Sequence, residues 1–368
     1  MKAALWIQRR NMEISELTPE ELKSDEVRVR VAWCGICATD LHEFLHGPLF
    51  LPELPHPLTS THIPLVPGHE FSGTIVEKGE EVVNVTEGDN VAVFPIISCG
   101  DCEYCRSDRE RLCEKMAFIG FSANGGFSEY VKIPAKNVYK VEGVPLEHLA
   151  FAEPIAAAIH AVKRAKITPE TTVAIIGAGP IGLLTASIAK LRRANVIITE
   201  VLEGRRELAG SLGFDVVLDP LKNGFLRKVR SLTGGKGVEV SIDCAGSFNT
   251  MGLDMKNPIY EALSITKIGG RVTIVGVHDF PSTVDLRKLL ASEKELAGSW
   301  LFSREDFEEG LDIIKDGKIP LDSFITDRIY LEDLVSRGFL ELEIRKDEHI
   351  KILVTPRKEL IGSRTFES

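Results

Sequence analysis

The stretch VAIIGAGPIG, residues 173–182, decides the fold of this chain. Its first half is apolar and predicts a buried strand, and Gly177, Gly179 and Gly182 then form a G-x-G-x-x-G turn. In such a turn the first glycine permits a tight bend, the second lets a pyrophosphate approach the backbone, and the third allows the next helix to pack closely on the strand. The stretch therefore predicts a dinucleotide site at the start of a helix.

A second strand, NVIITE, follows the predicted helix and ends at Glu200, 18 residues after Gly182. A carboxylate there can accept hydrogen bonds from ribose hydroxyls and would repel a 2′-phosphate, so the sequence favours NAD over NADP. Arg205 and Arg206 lie just downstream and keep NADP as an alternative. Without a cofactor, the glycines would serve helix packing alone and Glu200 would be a solvated strand end. The remaining predicted cofactor residues are Pro180, Ile181, Val275 and Val277.

Strands and helices alternate from about residue 155 onward. TTVAIIG, NVIITE, VEVSIDCAG and RVTIVGV read as strands, and their helical crossovers predict an α/β fold with a doubly wound parallel sheet, a Rossmann arrangement. Residues 1–150 contain short β-rich runs broken by glycine, proline and charged turns, which predict an antiparallel or barrel-like domain. We therefore expect a first domain over 1–154, a dinucleotide-binding domain over 155–299, and a C-terminal segment over 300–368 whose strand IKILVTP returns to the first domain.

The composition limits what the protein binds. The 368 residues carry a formal net charge of −10 and no long basic run, so nucleic acid is not an expected partner. The N-terminus has only five apolar residues before charge resumes, and no stretch is long enough to span a membrane. Seven cysteines without a secretion signal do not suggest a disulfide framework. These features predict a cytoplasmic protein that acts on a small molecule, with no nucleic-acid or membrane partner.

Four of the cysteines are clustered in the stretch SCGDCEYCRSDRERLC. They form a C-x2-C-x2-C-x7-C array made of Cys99, Cys102, Cys105 and Cys113. Four thiolates at such spacing can close a tetrahedron around zinc with no position left for a substrate, which is typical of a structural site. An iron–sulfur cluster and four unligated thiols are the alternatives, but the x7 spacing and the absence of a following proline do not fit the bacterial ferredoxin pattern.

A second metal site is predicted from residues in separate segments. A catalytic zinc needs about three protein ligands and one open position, and Cys37, His69, Glu70 and Glu153 are candidates. Glu153 is the only charge in an apolar run, and a nearby cation would offset the cost of burying it. Taken singly, the four residues could equally be a core thiol, a turn histidine, a solvated carboxylate and an acid at a helix N-terminus.

Over nearly its whole length the chain resembles the zinc-dependent medium-chain alcohol and polyol dehydrogenases. The resemblance rests on CGICATDLHE, GHEFSG, the four-cysteine loop, AEP at 152–154 and VAIIGAGPIG. It implies that the first domain is a GroES-like β fold, and that Cys37 and His69 bind a catalytic zinc. Glu153 stands where simple alcohol dehydrogenases have a second cysteine, as in the polyol and diol branch. In that branch the residue at the position of Glu70 is a direct ligand or exchanges with Glu153 and water. The resemblance therefore leaves open which of the two glutamates binds zinc in the resting state.

Within that branch the chain is most similar to the (R,R)-2,3-butanediol dehydrogenases, also called acetoin reductases. CGICATDLHEFLHGPLF and PHPLTSTHIPLVPGHEFSG carry this likeness, and GSWLF at 298–302 is apolar where sorbitol enzymes tend to be polar. The resemblance implies a secondary alcohol or short vicinal diol as substrate, with sorbitol, xylitol and threonine as alternatives. It also implies two zinc ions and one NAD per chain, and a homodimer or homotetramer.

The family resemblance further implies a proton relay. Thr39 would accept the alcohol proton and pass it through the cofactor ribose towards His42 and solvent, and Asp40 would orient a ligand histidine. Alternatively, Thr39 caps backbone groups and His42 is a surface helix residue. A dinucleotide-binding redox sensor without turnover and a zinc-free quinone reductase are rival functions, both of which the candidate zinc ligands disfavour.

Overall fold

A computed structural model of the protein describes residues 1–246, 257–278 and 284–362. The chain forms two compact units. The first contains residues 1–153 together with the segment that starts at residue 303, and the second contains residues 154–302.

The secondary structure consists of short strands and helices. The strands are β1 (Lys2–Gln8), β2 (Asn11–Glu16), β3 (Glu26–Gly35), β4 (Glu70–Lys78), β5 (Asn90–Val93), β6 (Ile96–Ile97), β7 (Ala117–Phe118), β8 (Tyr130–Pro134), β9 (Val138–Lys140), β10 (Thr172–Ile176), β11 (Asn195–Thr199), β12 (Val217–Leu218), β13 (Val238–Asp243), β14 (Thr266–Ile274), β15 (Glu295–Gly298), β16 (Ile325–Tyr330) and β17 (Lys351–Thr355). The α-helices are α1 (Ala38–His46), α2 (Leu146–Leu149), α3 (Ala152–Arg164), α4 (Pro180–Leu191), α5 (Glu203–Ser211), α6 (Phe225–Leu232), α7 (Pro258–Ile265), α8 (Leu286–Ala291), α9 (Arg304–Lys315), α10 (Leu340–Ile344) and α11 (Lys358–Gly362). Single turns of 3₁₀ or π helix span Cys105–Ser107, Glu110–Leu112, Ala135–Asn137, Leu321–Phe324, Leu331–Asp333 and Leu334–Phe339.

The first unit is built on a sheet with the strand order β16-β17-β3-β4-β5-β9, and β8 also pairs with β3. Strand β3 lies in the middle of this sheet. Every second residue of its first half is apolar, and Val27, Val29 and Val31 are fully buried. β3 runs antiparallel to β4, with Gly35 opposite Glu70. On the other side, β17 pairs antiparallel with the end of β3 and parallel with β16. The segment after residue 303 therefore supplies two strands to the sheet of the N-terminal residues.

Aromatic packing holds this C-terminal segment in place. The Phe339 ring stacks on Phe44 with the centroids 5.0 Å apart and meets Phe127 edge to face at 6.3 Å. All three rings are almost fully buried. Burying such a side chain contributes about 2–3 kcal/mol, so the contact of Phe339 with two N-terminal segments is a substantial part of the attachment.

The second unit contains a six-stranded parallel sheet with the order β12-β11-β10-β13-β14-β15. The prediction of an α/β fold with a doubly wound parallel sheet is confirmed. The chain reverses its direction of sheet growth between β10 and β13, and in such sheets ligands bind beyond the carboxyl ends of the strands at this point. VAIIGAGPIG lies there, because β10 ends immediately before Gly177.

None of the helices in the described part of the chain is both long and apolar enough to cross a membrane.

Candidate functional site

The sheet register brings Cys37, His69 and Glu70 together. Gly35 ends β3 opposite Glu70, which starts β4, so Cys37 lies just beyond the end of one strand and His69 just before the start of its neighbour. Cys37 is also the residue that precedes α1, and its backbone N–H donates a 3.0 Å hydrogen bond to Asp40 Oδ2. One potential ligand atom from each of the three residues lies within 4.8 Å of the others.

Gly68 makes the approach of His69 possible. It has a φ of +96°, a conformation that favours glycine, and it precedes the two candidate ligands. A Cβ at this position would lie 2.8 Å from the Cys34 sulfur and 2.9 Å from the Phe127 nitrogen. Any side chain at residue 68 would therefore displace the turn that carries His69.

Three buried polar atoms at this site have no hydrogen-bond partner. His69 Nδ1, Asp40 Oδ1 and Glu70 Oε1 are buried and have no hydrogen-bond partner, and Nδ1 is 3.4 Å from Asp40 Oδ1. Burial by itself lowers the pKa of His69, but the negative charges of Asp40 and Cys37 raise it well above its usual range. Orphaned polar atoms around a thiol, an imidazole and a carboxylate fit a divalent cation, and this set of donors suits zinc.

Glu153 is near this trio but outside it. It lies in the first turn of α3 and is 7% exposed, yet none of its oxygens joins the group with ligand atoms within 4.8 Å. Burial raises the pKa of Glu153 to about 7; the charge of Glu70 also raises it, and His69 lowers it. The structure therefore places Glu70, and not Glu153, with Cys37 and His69.

Lys351 is a charged residue of this site that the sequence analysis missed. Its Nζ is 2.5 Å from Glu70 Oε2 and donates a 3.0 Å hydrogen bond to the Ile36 carbonyl. Burial alone would lower the pKa of Lys351, but the charges of Glu70 and Cys37 raise it above its ordinary value. A lysine at the head of the apolar run KILVT was the available signal, because a buried strand rarely carries an unpaired charge.

Two phenylalanines, also missed, lie beside the His69 ring, and a third packs against one of them. The centroid of Phe121 is 4.9 Å from the His69 ring, and that of Phe118 is 5.5 Å away. Phe50, which is 44% exposed, meets Phe121 edge to face at 6.2 Å. The loop carrying Phe50 is fixed by Glu43, whose buried carboxylate accepts the backbone N–H groups of Leu49 and Phe50. A continuous apolar surface thus runs from solvent to the imidazole.

Thr39 and His42 lie on α1, next to the trio. Thr39 Oγ1 is 3.6 Å from Cys37 Sγ, and His42 follows three residues later on the same side of the helix. Burial lowers the pKa of His42 to about 3, with smaller contributions from His46 and Lys346. Near neutral pH, His42 is therefore an uncharged imidazole.

The four clustered cysteines converge in the loop between β6 and β7. Their sulfurs lie within 4.8 Å of one another, with separations of 3.4 Å for Cys102–Cys105, 3.5 Å for Cys113–Cys99 and 3.8 Å for Cys99–Cys105. None of the four forms a disulfide. Four sulfurs at zinc–sulfur bonding distance on a tetrahedron are about 3.8 Å apart. The loop therefore fits a tetrahedral zinc with no free position.

In the second unit, the three glycines have the expected geometry. Gly177 has a φ of +95°, and an added Cβ would lie 3.0 Å from Ala245. A Cβ on Gly182 would collide with the Gly177 carbonyl, whereas one on Gly179 would meet only Arg205 Nη1, at 3.4 Å. Gly179 precedes α4, whose first turn, with Pro180 and Ile181, has no side-chain cap. The free backbone N–H groups at the start of α4 are thus available to a phosphate.

Glu200 lies directly after β11 and is buried beside the glycine turn. Its Oε2 accepts a 2.8 Å hydrogen bond from the Ala178 N–H, and Oε1 accepts a 2.9 Å bond from the Leu202 N–H. These bonds fix the carboxylate, and each oxygen keeps a lone pair for another donor. Of the two predicted arginines, Arg205 lies against Gly179, while Arg206 donates to the carbonyls of Glu200 and Val201.

The two predicted valines follow β14 at the same edge of the sheet. The Val275 N–H donates to the Asp243 carbonyl at 2.9 Å. The Val277 carbonyl lies against Gly246, where a Cβ would collide with it. Both valines therefore adjoin the loop after β13, at the carboxyl ends of the strands.

Comparison with known proteins identifies the class. Residues 23–143 match the family model described as alcohol dehydrogenase GroES-like domain, and residues 180–316 match the model described as zinc-binding dehydrogenase. The chain belongs to the zinc-binding alcohol and polyol dehydrogenase family, so it is an oxidoreductase with a GroES-like first domain, and the predicted family is confirmed.

Individual relatives narrow the comparison. An (R,R)-butanediol dehydrogenase of Neisseria gonorrhoeae is 34% identical over 97% of this chain and 99% of its own length. The crystal structure of 2R,3R-butanediol dehydrogenase from Bacillus subtilis matches with a TM-score of 0.86 and 33% identity, covering 97% of this chain and 99% of that one. A sorbitol dehydrogenase of Bacillus subtilis is 30% identical over 97% of this chain and 98% of its own length.

Proposed function

We propose that the protein uses zinc and NAD to interconvert a secondary alcohol, specifically (R,R)-2,3-butanediol, and its ketone, acetoin. The main support is the group of Cys37, which is partly buried, with the buried His69 and Glu70. Their ligand atoms lie within 4.8 Å of one another, and Glu70 Oε1 has no hydrogen-bond partner. Such a group can hold a metal and leave one position to a substrate oxygen. The four-cysteine loop would hold a second, structural zinc.

The residues around the trio would prepare it for this chemistry. A zinc ion bound there acts as a Lewis acid that stabilises negative charge on the alcohol oxygen. Asp40 accepts the Cys37 N–H and faces His69 Nδ1, so one carboxylate orients two of the three ligands. Asp40, His69 and Glu70 are buried and Cys37 is partly buried, which limits the access of water and strengthens their electrostatic interactions.

Oxidation releases a hydride and a proton, and the chain provides for both. NAD bound at the glycine turn would supply the hydride acceptor, its nicotinamide ring. Thr39, beside Cys37, accepts the hydroxyl proton and donates its own onward towards His42. Because the pKa of His42 is about 3, the imidazole does not retain the proton near pH 7 but transfers it to solvent.

The substrate assignment is supported by the apolar surface of Phe118, Phe121 and Phe50. Methyl groups on both sides of a vicinal diol gain from contact with aromatic rings, whereas the extra hydroxyls of sorbitol would lose hydrogen bonds to water there. The relatives named as butanediol dehydrogenases agree with this assignment.

A substrate panel tests the proposal. We expect NAD-linked oxidation of (R,R)-2,3-butanediol to have a kcat/KM at least ten times that for its (S,S) isomer, sorbitol, xylitol or threonine. Faster turnover of sorbitol would assign the protein to the polyol enzymes, and no turnover of any alcohol would favour a redox sensor. Diffraction at the zinc absorption edge would then show whether a metal occupies the trio.

NAD, not NADP, is the proposed cofactor because a fixed carboxylate, Glu200, lies beside the glycine turn. Arg205, which lies against Gly179, would then contact the pyrophosphate rather than a 2′-phosphate. We expect kcat/KM for NADH to exceed that for NADPH, and a Glu200→Ser variant to reduce the ratio. A preference of the unmodified enzyme for NADPH would reverse this assignment.

A further inference from the structure

Lys351 and Glu70 form a buried ion pair beside the candidate metal ligands. Among the described residues, Lys351 is the only buried lysine or arginine, and the two side chains are 2% and 1% exposed. A pair that deep loses much of its attraction to the cost of removing both charges from water. A buried pair of this kind is therefore better explained by the geometry that it imposes than by the stability that it adds.

The two oxygens of the Glu70 carboxylate have different surroundings. Oε2 is 2.5 Å from Lys351 Nζ, while Oε1 is buried without a hydrogen-bond partner. Lys351 is anchored in turn by the Ile36 carbonyl at 3.0 Å, directly before Cys37. One oxygen is thus held by an ammonium group whose own position is fixed, and the other remains available to a ligand.

The absence of a side chain at Gly35 makes room for the ion pair. Lys351 starts β17, which pairs with the end of β3, where Leu353 is opposite Gly35. A Cβ on Gly35 would collide with Glu70 Oε2 and lie 3.2 Å from Lys351 Cδ. The pair therefore fills the space that the missing side chain of Gly35 provides.

We propose that Lys351 is a positioning residue that restricts Glu70 to binding the catalytic metal through Oε1 alone, and so keeps one metal position free for the substrate oxygen. A carboxylate has two acceptor oxygens, and without Lys351 both could bind the metal and occupy that position. This inference rests on the metal centre of the proposed function. It adds the reason why Glu70 does not occupy the metal position that the substrate oxygen needs.

The test uses the full-length protein with Co²⁺ in the catalytic site, because visible absorption of Co²⁺ reports its coordination number. We compare wild type with Lys351→Met, which keeps the length of the side chain, and Lys351→Arg, which keeps a charged donor. We expect intense four-coordinate bands for wild type and Lys351→Arg, and a loss of intensity with five-coordinate character for Lys351→Met. Because Glu70 Oε2 then competes with the substrate, KM of Lys351→Met should rise at least ten-fold while kcat changes less than three-fold.

Unchanged Co²⁺ bands in a folded Lys351→Met variant that retains its four-cysteine zinc would overturn the proposal. A crystal structure of the zinc-loaded wild type tests it without a variant, and Glu70 bound through both oxygens, or not bound at all, would contradict it. Absence of metal from the trio in active enzyme is a different outcome, since it would refute the proposed function itself.

Discussion

Cys34 and Cys37 show how much the surroundings of a single side chain decide its role. Cys34 is fully buried within β3, whereas Cys37 precedes α1 and lies within 4.8 Å of the ligand atoms of His69 and Glu70. We expect Cys37→Ser to lose the catalytic metal and to reduce turnover by about 1,000-fold, which corresponds to several kcal/mol of lost charge stabilisation. Zinc content per chain, measured by atomic emission, should fall by one.

Cys34→Ala is the matched control, because it removes a neighbouring thiol that is not part of the group of ligand atoms within 4.8 Å. It should keep the full zinc content and most of the activity, with a small loss of stability. A Cys37→Ser protein with unchanged zinc and turnover would show that the thiol is not a ligand.

The stability of the protein is expected to depend on pH through Glu261, a residue outside both candidate metal sites. Burial raises its pKa to about 7, with the carboxylates of Asp243 and Glu200 adding to the effect. The unfolded chain releases this proton at a lower pH than the folded protein, so stability is greatest below about pH 4.5 and falls as the pH rises to about 7. We expect Glu261→Gln to remove a decrease of about 2 kcal/mol across this range, measured by urea unfolding. If the stability of the wild type and of Glu261→Gln depended on pH in the same way, the raised pKa of Glu261 would be refuted.

At the scale of elements, the loop between β6 and β7 depends on its four cysteines. It contains two single turns of 3₁₀ helix and little buried apolar surface, so a metal would supply most of its order. Chelation of the zinc should expose this loop to trypsin, with cleavage after Arg106, Arg109 or Arg111, and added zinc should restore protection. Equal resistance with and without chelator would show that the loop folds without metal.

Elements also differ in how far the sequence predicts them. The glycine turn and the cysteine array are readable because their residues are close in sequence, and the alternation of apolar strands with helices predicted the parallel sheet. Lys351 was missed because its partner Glu70 is 281 positions away, and no local pattern indicates that pairing. Likewise, the choice between Glu70 and Glu153 depends on the register of β3 and β4, which motif spacing does not encode.

At the scale of the whole molecule, the free edge of the parallel sheet suggests how copies of the chain associate. β15 forms this edge and is largely exposed. Several apolar side chains carried by β14, α8, β15 and the following turn are exposed: Ile268, Leu286, Leu290, Leu296 and Trp300. Exposed strand edges with apolar neighbours favour pairing with a second chain. We therefore predict that β15 forms a contact between copies of the chain in the expected homodimer or homotetramer.

A charge at this edge tests the prediction. Leu290→Asp should convert dimers into monomers in light scattering, because it would bury a carboxylate in the interface. Val83→Asp is the control, since Val83 is 90% exposed in the other unit and should leave the mass unchanged. Dimers that persist in Leu290→Asp would place the interface elsewhere.

The position of β17 between β3 and β16 has a consequence for biosynthesis. While the ribosome is still translating, the end of β3 lacks a neighbour on one side until residues 351–355 have left the exit tunnel. A nascent chain therefore has a bare sheet edge for most of its synthesis, the condition in which chaperones are most often needed. Premature termination before these codons would release a polypeptide that possesses every proposed zinc-binding side chain and yet has an incomplete sheet around them.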